Sequence, residues 1–270
     1  MRAGMERRSD LIGLSPQALR AEIRQAHWDG PTAGLASGYA QANLVILPQT
    51  FAYDFLLFCQ RNPKPCPVLE VTDPGDWRLS YAASGTDLRK DVPRYRIFHH
   101  GQVAEEVTDI EDIWREDFVS FLLGCSFTFE AAMIRAGLPI RHVDEGHNVP
   151  MYRTTLPCRP AGGFGGAMVV SMRPVAREHV SRAIQVTARY VLAHGAPVHV
   201  GDPTAIGIPD LEHPDFGQAD AIYEGEVPVF WACGVTPQVA AQHAKPPVMI
   251  THSPGHMFVT DLRDEELTVW

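Results

Sequence analysis

The spacing of apolar positions predicts short strands and helices that alternate along the chain. "QANLVILP" (41–48) is a continuous apolar run typical of a buried strand, and "QTFAYDFLLFCQRN" (49–62) has helical spacing. "SPQALRAEIRQAHW" begins with Ser15 before Pro16, a pair that favours a helix start. "RYRIFHHGQVAEEVT" predicts a hairpin that turns at Gly101. This mixture indicates an α/β protein.

Two segments repeat the same order of predicted elements. In each, an apolar strand leads to a cysteine, Cys125 or Cys233, and a helix and a second strand follow; in the first segment "PIRHV" (139–143) is that second strand. Four pairs of residues lie at matching distances after the two cysteines: Thr128 and Thr236, Glu130 and Gln238, Ala132 and Ala240, and Pro139 and Pro247. Each segment then closes with a Gly-His pair, Gly146-His147 in the first and Gly255-His256 in the second. The match predicts an internal duplication; the alternative is two unrelated units with the same turn.

We predict a three-layer α/β/α core with a smaller, inserted two-layer α+β domain. Residues 1–145 and 213–270 are assigned to the core, and residues 146–212 to the insertion. The insertion contains strand "MVVSMR", helix "VAREHVSRAIQVTARYVL" and strand "PVHVG", which have apolar faces of their own. A site between core and insertion is expected near both cysteine turns.

Both cysteines precede a predicted helix start. Thr236 followed by Pro237 is typical of an N-cap and a first helical residue, and Thr128 holds the matching position in the first segment. The free amides and the positive end of a helix dipole would lower the pKa of a nearby thiol and favour a bound anion. The alternative is that each cysteine is a small buried apolar residue.

Composition and charge narrow the partners. The formal charge of −9 argues against nucleic acid, which requires a concentrated basic surface, and favours a small-molecule partner. No apolar run approaches the about 20 residues that cross a bilayer, and the polar opening lacks the apolar centre of a signal peptide, so we expect a cytoplasmic protein without a membrane partner. The five cysteines show no zinc-binding spacing, and the sequence predicts neither a metal nor a cofactor. The sequence does not decide whether the protein forms a homo-oligomer.

Other candidate residues follow from side-chain chemistry. His147 and His256 titrate near neutral pH, Glu130 would transfer protons if burial raised its pKa, and arginines at 153 and 159 offer the forked geometry that binds carboxylates. Their alternatives are a carboxylate that only stabilises a helix dipole, and arginines that are only solvated or form a structural ion pair. The predicted catalytic residues are Cys125, Glu130, His147, Cys233 and His256; the predicted substrate-binding residues are Thr128, Asn148, Arg153, Arg159 and Thr236.

Several long segments resemble one known family. "GYAQANLVILP", "FLLFCQRNPKPCPVLEVTDPG", "FLLGCSFTFEAA", "NVPMYRT", "VVSMRP", "GAPVHVGDP", "FWACGVTPQ" and "SPGHMFVTDLRDEEL" occur in order across residues 14–267. Together they closely resemble the D-glutamate cyclase family, whose bacterial members are labelled hydro-lyases. The resemblance implies a lyase of amino-acid metabolism that dehydrates D-glutamate, or a related small acid, to 5-oxo-D-proline without a cofactor.

Two other functions stay open from the residues alone. Paired cysteines on matching halves resemble the layout of cofactor-independent amino-acid racemases, although "GCSFTFE" and "ACGVTPQ" differ from the motifs of that class. The third alternative is a non-catalytic protein that binds a small carboxylate.

Overall fold

The strands of the described chain, residues 8–269, form two sheets in this computed structural model. In chain order they are β1 (Tyr39–Pro48), β2 (Val68–Val71), β3 (Tyr95–His99), β4 (Gln102–Val107), β5 (Phe118–Gly124), β6 (Met151–Pro157), β7 (Ala167–Ala176), β8 (His199–Val200), β9 (Glu226–Ala232), β10 (Met249–His252) and β11 (Phe258–Arg263). The first sheet has the order β2-β5-β1-β10-β3-β4, with β11 also paired to β1; the second has the order β6-β7-β9-β8. The pairings are antiparallel.

Short helices connect and cover the strands. They are α1 (Pro16–Arg24), α2 (Gln49–Arg61), α3 (Phe127–Arg135), α4 (Arg141–Glu145), α5 (Val180–Ala188) and α6 (Thr236–Ala244). Ser15 caps α1 as predicted, because its hydroxyl accepts the backbone N–H of Ala18. Within residues 8–269, no helix has both the length and the apolar character needed to cross a bilayer.

The central strand β1 is buried on both faces. Leu44 and Ile46 belong to one apolar cluster with Trp231 of β9, whereas Val45 and Leu47 belong to another that contains the aromatic residues of α2. The first sheet is therefore the middle layer of the molecule. The α/β class predicted from the sequence is confirmed.

One side of β1 is shared by two strands, with a gap between them. β11 pairs with β1 as far as Ala42, and β10 pairs with it from Val45 onward. Asn43 lies at the gap, and the connection 253–257 between β10 and β11 runs past it. The parallel-sheet rule that places ligands at the carboxyl ends of strands does not apply to these antiparallel sheets; here the gap itself provides an opening.

The two cysteine segments share part of their predicted structure. In each, a strand, the cysteine and a helix follow one another, and a threonine hydroxyl accepts a backbone N–H from the neighbouring strand: Thr128 from Gln41 at 3.3 Å, and Thr236 from Val169 at 3.1 Å. These contacts support the duplication, which stays a prediction. The predicted strand "PIRHV" is wrong, because Arg141–Glu145 is helical.

Two further expectations concern the start of α6 and the boundaries of the domains. Thr236 is the first residue of α6 rather than its cap, since its hydroxyl bonds to β7 and to the Cys233 carbonyl instead of to its own helix. The division of domains at 146–212 stays a prediction. Pairing shows that the second sheet also includes β9, which the sequence assigned to the core.

Candidate active site

The two cysteine turns meet at one small cavity. Cys125 follows the last residue of β5, Cys233 follows the last residue of β9, and both line a cavity of about 20 Å³. The polar side chains that line it with them belong to Asn43, Ser126, Asn148 and His252. The structure therefore brings together residues from both sheets and from the gap beside β1.

Both thiols are protonated at neutral pH. Burial raises the pKa of Cys233 to about 11 and raises that of Cys125 further. Backbone N–H groups at the helix starts, those of Phe127 and Val235, lower the two pKa values, but by less than burial raises them. The expectation that these turns lower the pKa of the thiols is wrong, because desolvation outweighs the helix amides.

Asn43 connects the two turns. Its amide nitrogen donates to the carbonyl of Gly124 at 2.7 Å, at the end of β5. On the other side it lies against Gly234, so close that a Cβ at Gly234 would overlap its side chain. The absence of a side chain at Gly234 lets one amide contact both cysteine segments.

His252 presents a neutral imidazole to the cavity. It ends β10 and is 1% exposed, and neither ring nitrogen has a hydrogen-bond partner of good geometry among residues 8–269. Burial lowers its pKa to about 3, and a backbone contact with Leu44 opposes this only in part. The repeat favoured His147 and His256 over His252; the signal available in the sequence was its place at the end of a buried strand.

Glu130 belongs to a buried ionic network beside the cavity. Its Oε1 lies 2.5 Å from Arg173 and 2.9 Å from Nε2 of His142, and Arg173 also donates to the hydroxyl of Ser126 at 3.0 Å. Burial alone would raise the pKa of Glu130, but the attraction of His142 and Arg173 together holds it below its usual value. The condition under which Glu130 would transfer protons, a pKa raised by burial, is therefore not met, and Glu130 does not line the cavity.

Asn148 separates the cavity from a larger cleft. It lines both, and its amide nitrogen donates to the carbonyl of Pro254 at 3.2 Å. The cleft measures about 330 Å³ and is also lined by Arg96 and by His256, whose pKa is lowered by burial. Arg96 is paired with Glu106 at 2.6 Å, and Glu106 and Asp215 also line the cleft. Charges of both signs and an imidazole therefore face the outer side of the barrier that Asn148 forms.

The remaining predicted residues lie away from the cavity. Arg153 is exposed and contacts Asp215 at 3.5 Å and Gln242 at 3.1 Å, and Arg159 is exposed as well. Thr128 and Thr236 are buried and engaged with backbone groups. His147 lies outside the cavity, next to carboxylates of Glu145 and Asp220.

Comparison with known proteins decides the family. A sequence profile described as D-glutamate cyclase matches residues 119–261. The chain belongs to the D-glutamate cyclase family. A relative from Stutzerimonas stutzeri is 63% identical over 95% of this chain and 97% of its own, and one from Bacillus subtilis is 58% identical over 95% and 100%.

The names of these relatives give a reaction class but no substrate. Both begin "Putative hydro-lyase", as does that of a relative from Geobacillus kaustophilus, 60% identical over 95% of this chain and 97% of its own. Among solved structures, a nitrogen repressor-like protein from Methanococcus jannaschii covers 90% of this chain and 97% of its own, with a TM-score of 0.39 and 11% identity. That likeness is too low to bear on fold or function.

Proposed function

We propose that this chain is a lyase that removes water from D-glutamate to give 5-oxo-D-proline, in the cavity between the two cysteine turns. The observation that carries the proposal is the meeting of Cys125, Cys233, Asn43 and His252 at one small cavity, in a member of the D-glutamate cyclase family. Hydro-lyase names among close relatives support the reaction class.

The reaction needs a folded substrate and two proton movements. The α-amine nitrogen of glutamate attacks its own γ-carboxyl carbon, so that a C–N bond forms. A C–O bond of the carboxyl group then breaks, and its oxygen leaves with two protons as water. An enclosed site favours this step because it holds the chain bent and excludes competing water.

The polar groups of the cavity suit these requirements. Neutral His252 accepts a proton from the attacking amine, and an anionic substrate beside it would raise its low pKa toward the working range. The side-chain amide of Asn43 donates a hydrogen bond to the developing oxyanion. The thiol of Cys233 donates one proton to the departing oxygen and protonated His252 donates the other, and the second proton that the amine nitrogen loses restores the Cys233 thiol. Cys125 donates a second hydrogen bond to the same centre.

The substrate enters by displacing Asn148 and the connection 253–257. A cavity of about 20 Å³ holds little more than one water molecule, whereas the neighbouring cleft of about 330 Å³ has room for a glutamate. To bind Arg96 at the cleft, the α-carboxylate would displace Glu106, which pairs with that arginine at 2.6 Å. In this proposal Arg96 takes the part that the sequence assigned to Arg153 and Arg159.

A second candidate function is amino-acid racemisation, because two thiols line the same cavity. It requires one thiol to be a thiolate, and burial raises the pKa of both Cys125 and Cys233. The cavity therefore favours cyclisation, which requires no thiolate in the resting enzyme. Non-catalytic binding of a small carboxylate is the third outcome to be tested.

The test is to incubate the purified protein with D- and L-glutamate and to follow primary amine and optical rotation together. Cyclisation consumes the amine; racemisation changes the rotation and leaves the amine intact. We expect amine loss with D-glutamate, reduced at least about 100-fold in H252Q and in C233S, as for the loss of a group that acts in the transition state.

C59S is the matched control, because Cys59 is a buried thiol in a different apolar cluster and should keep wild-type turnover. Loss of rotation without loss of amine would replace this proposal by racemisation. Saturable binding of 5-oxo-D-proline with no turnover of either glutamate would replace it by a binding function.

A further inference from the structure

Three potential metal ligands meet outside the cavity. One ligand atom each from Glu145, His147 and Asp220 lies within 4.8 Å of the other two. Nε2 of His147 is 3.2 Å from a carboxylate oxygen of Glu145 and 3.3 Å from one of Asp220. None of these contacts contributes to the cavity between the cysteine turns.

Asp220 has a buried carboxylate without a hydrogen-bond donor. Its side chain is fully buried, and among residues 8–269 neither oxygen has a hydrogen-bond partner. The guanidinium groups of Arg173 and Arg141, whose charges act on Asp220, bond to Glu130 and Glu226 instead. Burying a carboxylate costs free energy unless the group is paired. A cation bound at this position would therefore stabilise the carboxylate of Asp220.

His147 is oriented as metal-binding histidines are. Its Nδ1 lies 3.1 Å from the backbone carbonyl of Asn148, an acceptor. Its Nε2 faces one carboxylate oxygen each of Glu145 and Asp220, at 3.2 and 3.3 Å, so a metal ion that binds the two carboxylates would also meet this nitrogen. Metal-bound histidines typically donate their second ring N–H to a carbonyl in this way.

The spacing also fits one small ion. Zinc binds imidazole nitrogen and carboxylate oxygen at about 2.0–2.2 Å with tetrahedral angles, which places neighbouring ligand atoms about 3.3–3.5 Å apart. The two separations from Nε2 of His147, 3.2 and 3.3 Å, agree with this edge length. A fourth position would remain for water.

We propose that Glu145, His147 and Asp220 bind one divalent transition-metal ion, with zinc as its best-fitting representative. The ion would hold His147 against the carbonyl of Asn148, whose side chain closes the cavity. Metal binding would therefore stiffen the segment that the substrate must displace. In this proposal His147 is a ligand and not the proton carrier that the sequence predicted.

The test is calorimetric titration of chelator-treated protein with zinc, with metal content checked by elemental analysis. We expect one equivalent to bind, and binding to weaken at least about 100-fold in D220N and H147Q and about tenfold in E145Q, as for the loss of a single ligand or its orienting contact. Glu145 is half exposed, so E145Q tests the site even if the other two variants fold poorly.

H213Q is the matched control. His213 lies 2.6 Å from Asp210 on the surface, a histidine-carboxylate pair that lacks a buried third ligand, and its replacement should leave zinc affinity unchanged. The proposal is overturned if the wild type takes up no zinc at about 100 µM, or if all three ligand variants bind as the wild type does. Neither result depends on whether D-glutamate is the substrate.

Discussion

At the scale of single residues, the buried pair of Glu130 and Arg173 determines what surrounds the first cysteine turn. Arg173 is 1% exposed and bridges Glu130 on α3 to Ser126, the residue after Cys125. A guanidinium in such a place depends on its carboxylate partner, because water cannot reach it. The pair therefore fixes the position of the turn without contacting the cavity.

E130Q should destabilise the protein by about 3–5 kcal/mol, because it leaves the charge of Arg173 buried without a counter-charge. The free energy of unfolding in urea measures this. E265Q removes an ion pair with Arg135 whose side chains are 65% and 55% exposed, and should change stability by less than about 1 kcal/mol. Equal effects of the two substitutions would contradict the assigned role of Arg173.

The buried carboxyl group of Asp264 makes the free energy of unfolding depend on pH. Burial, with a smaller contribution from the charge of Glu265, raises the pKa of Asp264 from 3.8 to about 7. Between these values the folded state binds more protons than the unfolded state, so stability falls as pH rises from about 4 to about 7. Glu130 acts oppositely: its lowered pKa contributes stability at neutral pH that is lost on acidification through the folded pKa.

D264N should therefore gain stability relative to the wild type as pH rises from 4 to 8, because an amide cannot ionise. Unfolding in urea at several pH values measures the difference. D112N, at an exposed position, should follow the wild-type curve. A constant difference between D264N and the wild type across this range would show that Asp264 does not titrate there.

At the scale of elements, the site depends on how closely two turns approach β1. The backbone of Gly234 lies against the amide of Asn43, and the amide in turn holds the end of β5. The size of the cavity therefore depends on the distance between the backbone of Gly234 and the side chain of Asn43, and not only on the side chains of the two cysteines. A single added methyl group at Gly234 is enough to separate the two turns.

G234A should displace Asn43, lower turnover at least about tenfold, and cost about 1–3 kcal/mol of stability, as overpacking does. Steady-state kinetics and urea unfolding check both effects. G163A is the control, because a Cβ there would meet Ala244 at an ordinary 3.5 Å. Full activity of G234A would show that Asn43 need not contact the second turn.

Local elements could be predicted from the sequence, whereas contacts between distant segments could not. The apolar run of β1 and the turn at Gly101 depend on neighbouring residues only, and both predictions are confirmed. "PIRHV" read as a strand, but buried His142 within it pairs with Glu130, and this contact favours the helix.

The same limit applies to the site. The repeat pointed to both cysteines, but Asn43 and His252 enter the cavity only because β10 and β11 leave a gap beside β1. Asp220 reaches His147 from a distant part of the chain, so no local spacing indicates the three ligands. The physical reason is that gaps and ligand sets depend on which strands pair.

At the scale of the whole molecule, the cavity is closed where two chain segments touch. Asn148 bonds to the carbonyl of Pro254, and a Cβ at Gly255 would lie 2.7 Å from the Asn148 amide. The proposed reaction requires these segments to part and close again. Such a movement alters the protection of backbone amides.

Binding of 5-oxo-D-proline should therefore slow hydrogen exchange in residues 146–151 and 252–258, because a filled cavity holds both segments in place. Mass spectrometry of peptides after deuterium labelling measures this. Helix α2, which lines neither the cavity nor the cleft, should exchange at the same rate with and without ligand. Unchanged exchange in both segments at saturating ligand would place the binding site elsewhere.

The connection between β10 and β11 joins two strands of the central sheet, so it is a poor candidate for a freely swinging lid. Its excursions are limited by the hydrogen bonds that hold both strands to β1. If product leaves past this connection and opening is slower than bond making, product release limits the rate of turnover. Raising the viscosity of the solvent with glycerol should then lower kcat without changing the rate of the chemical step.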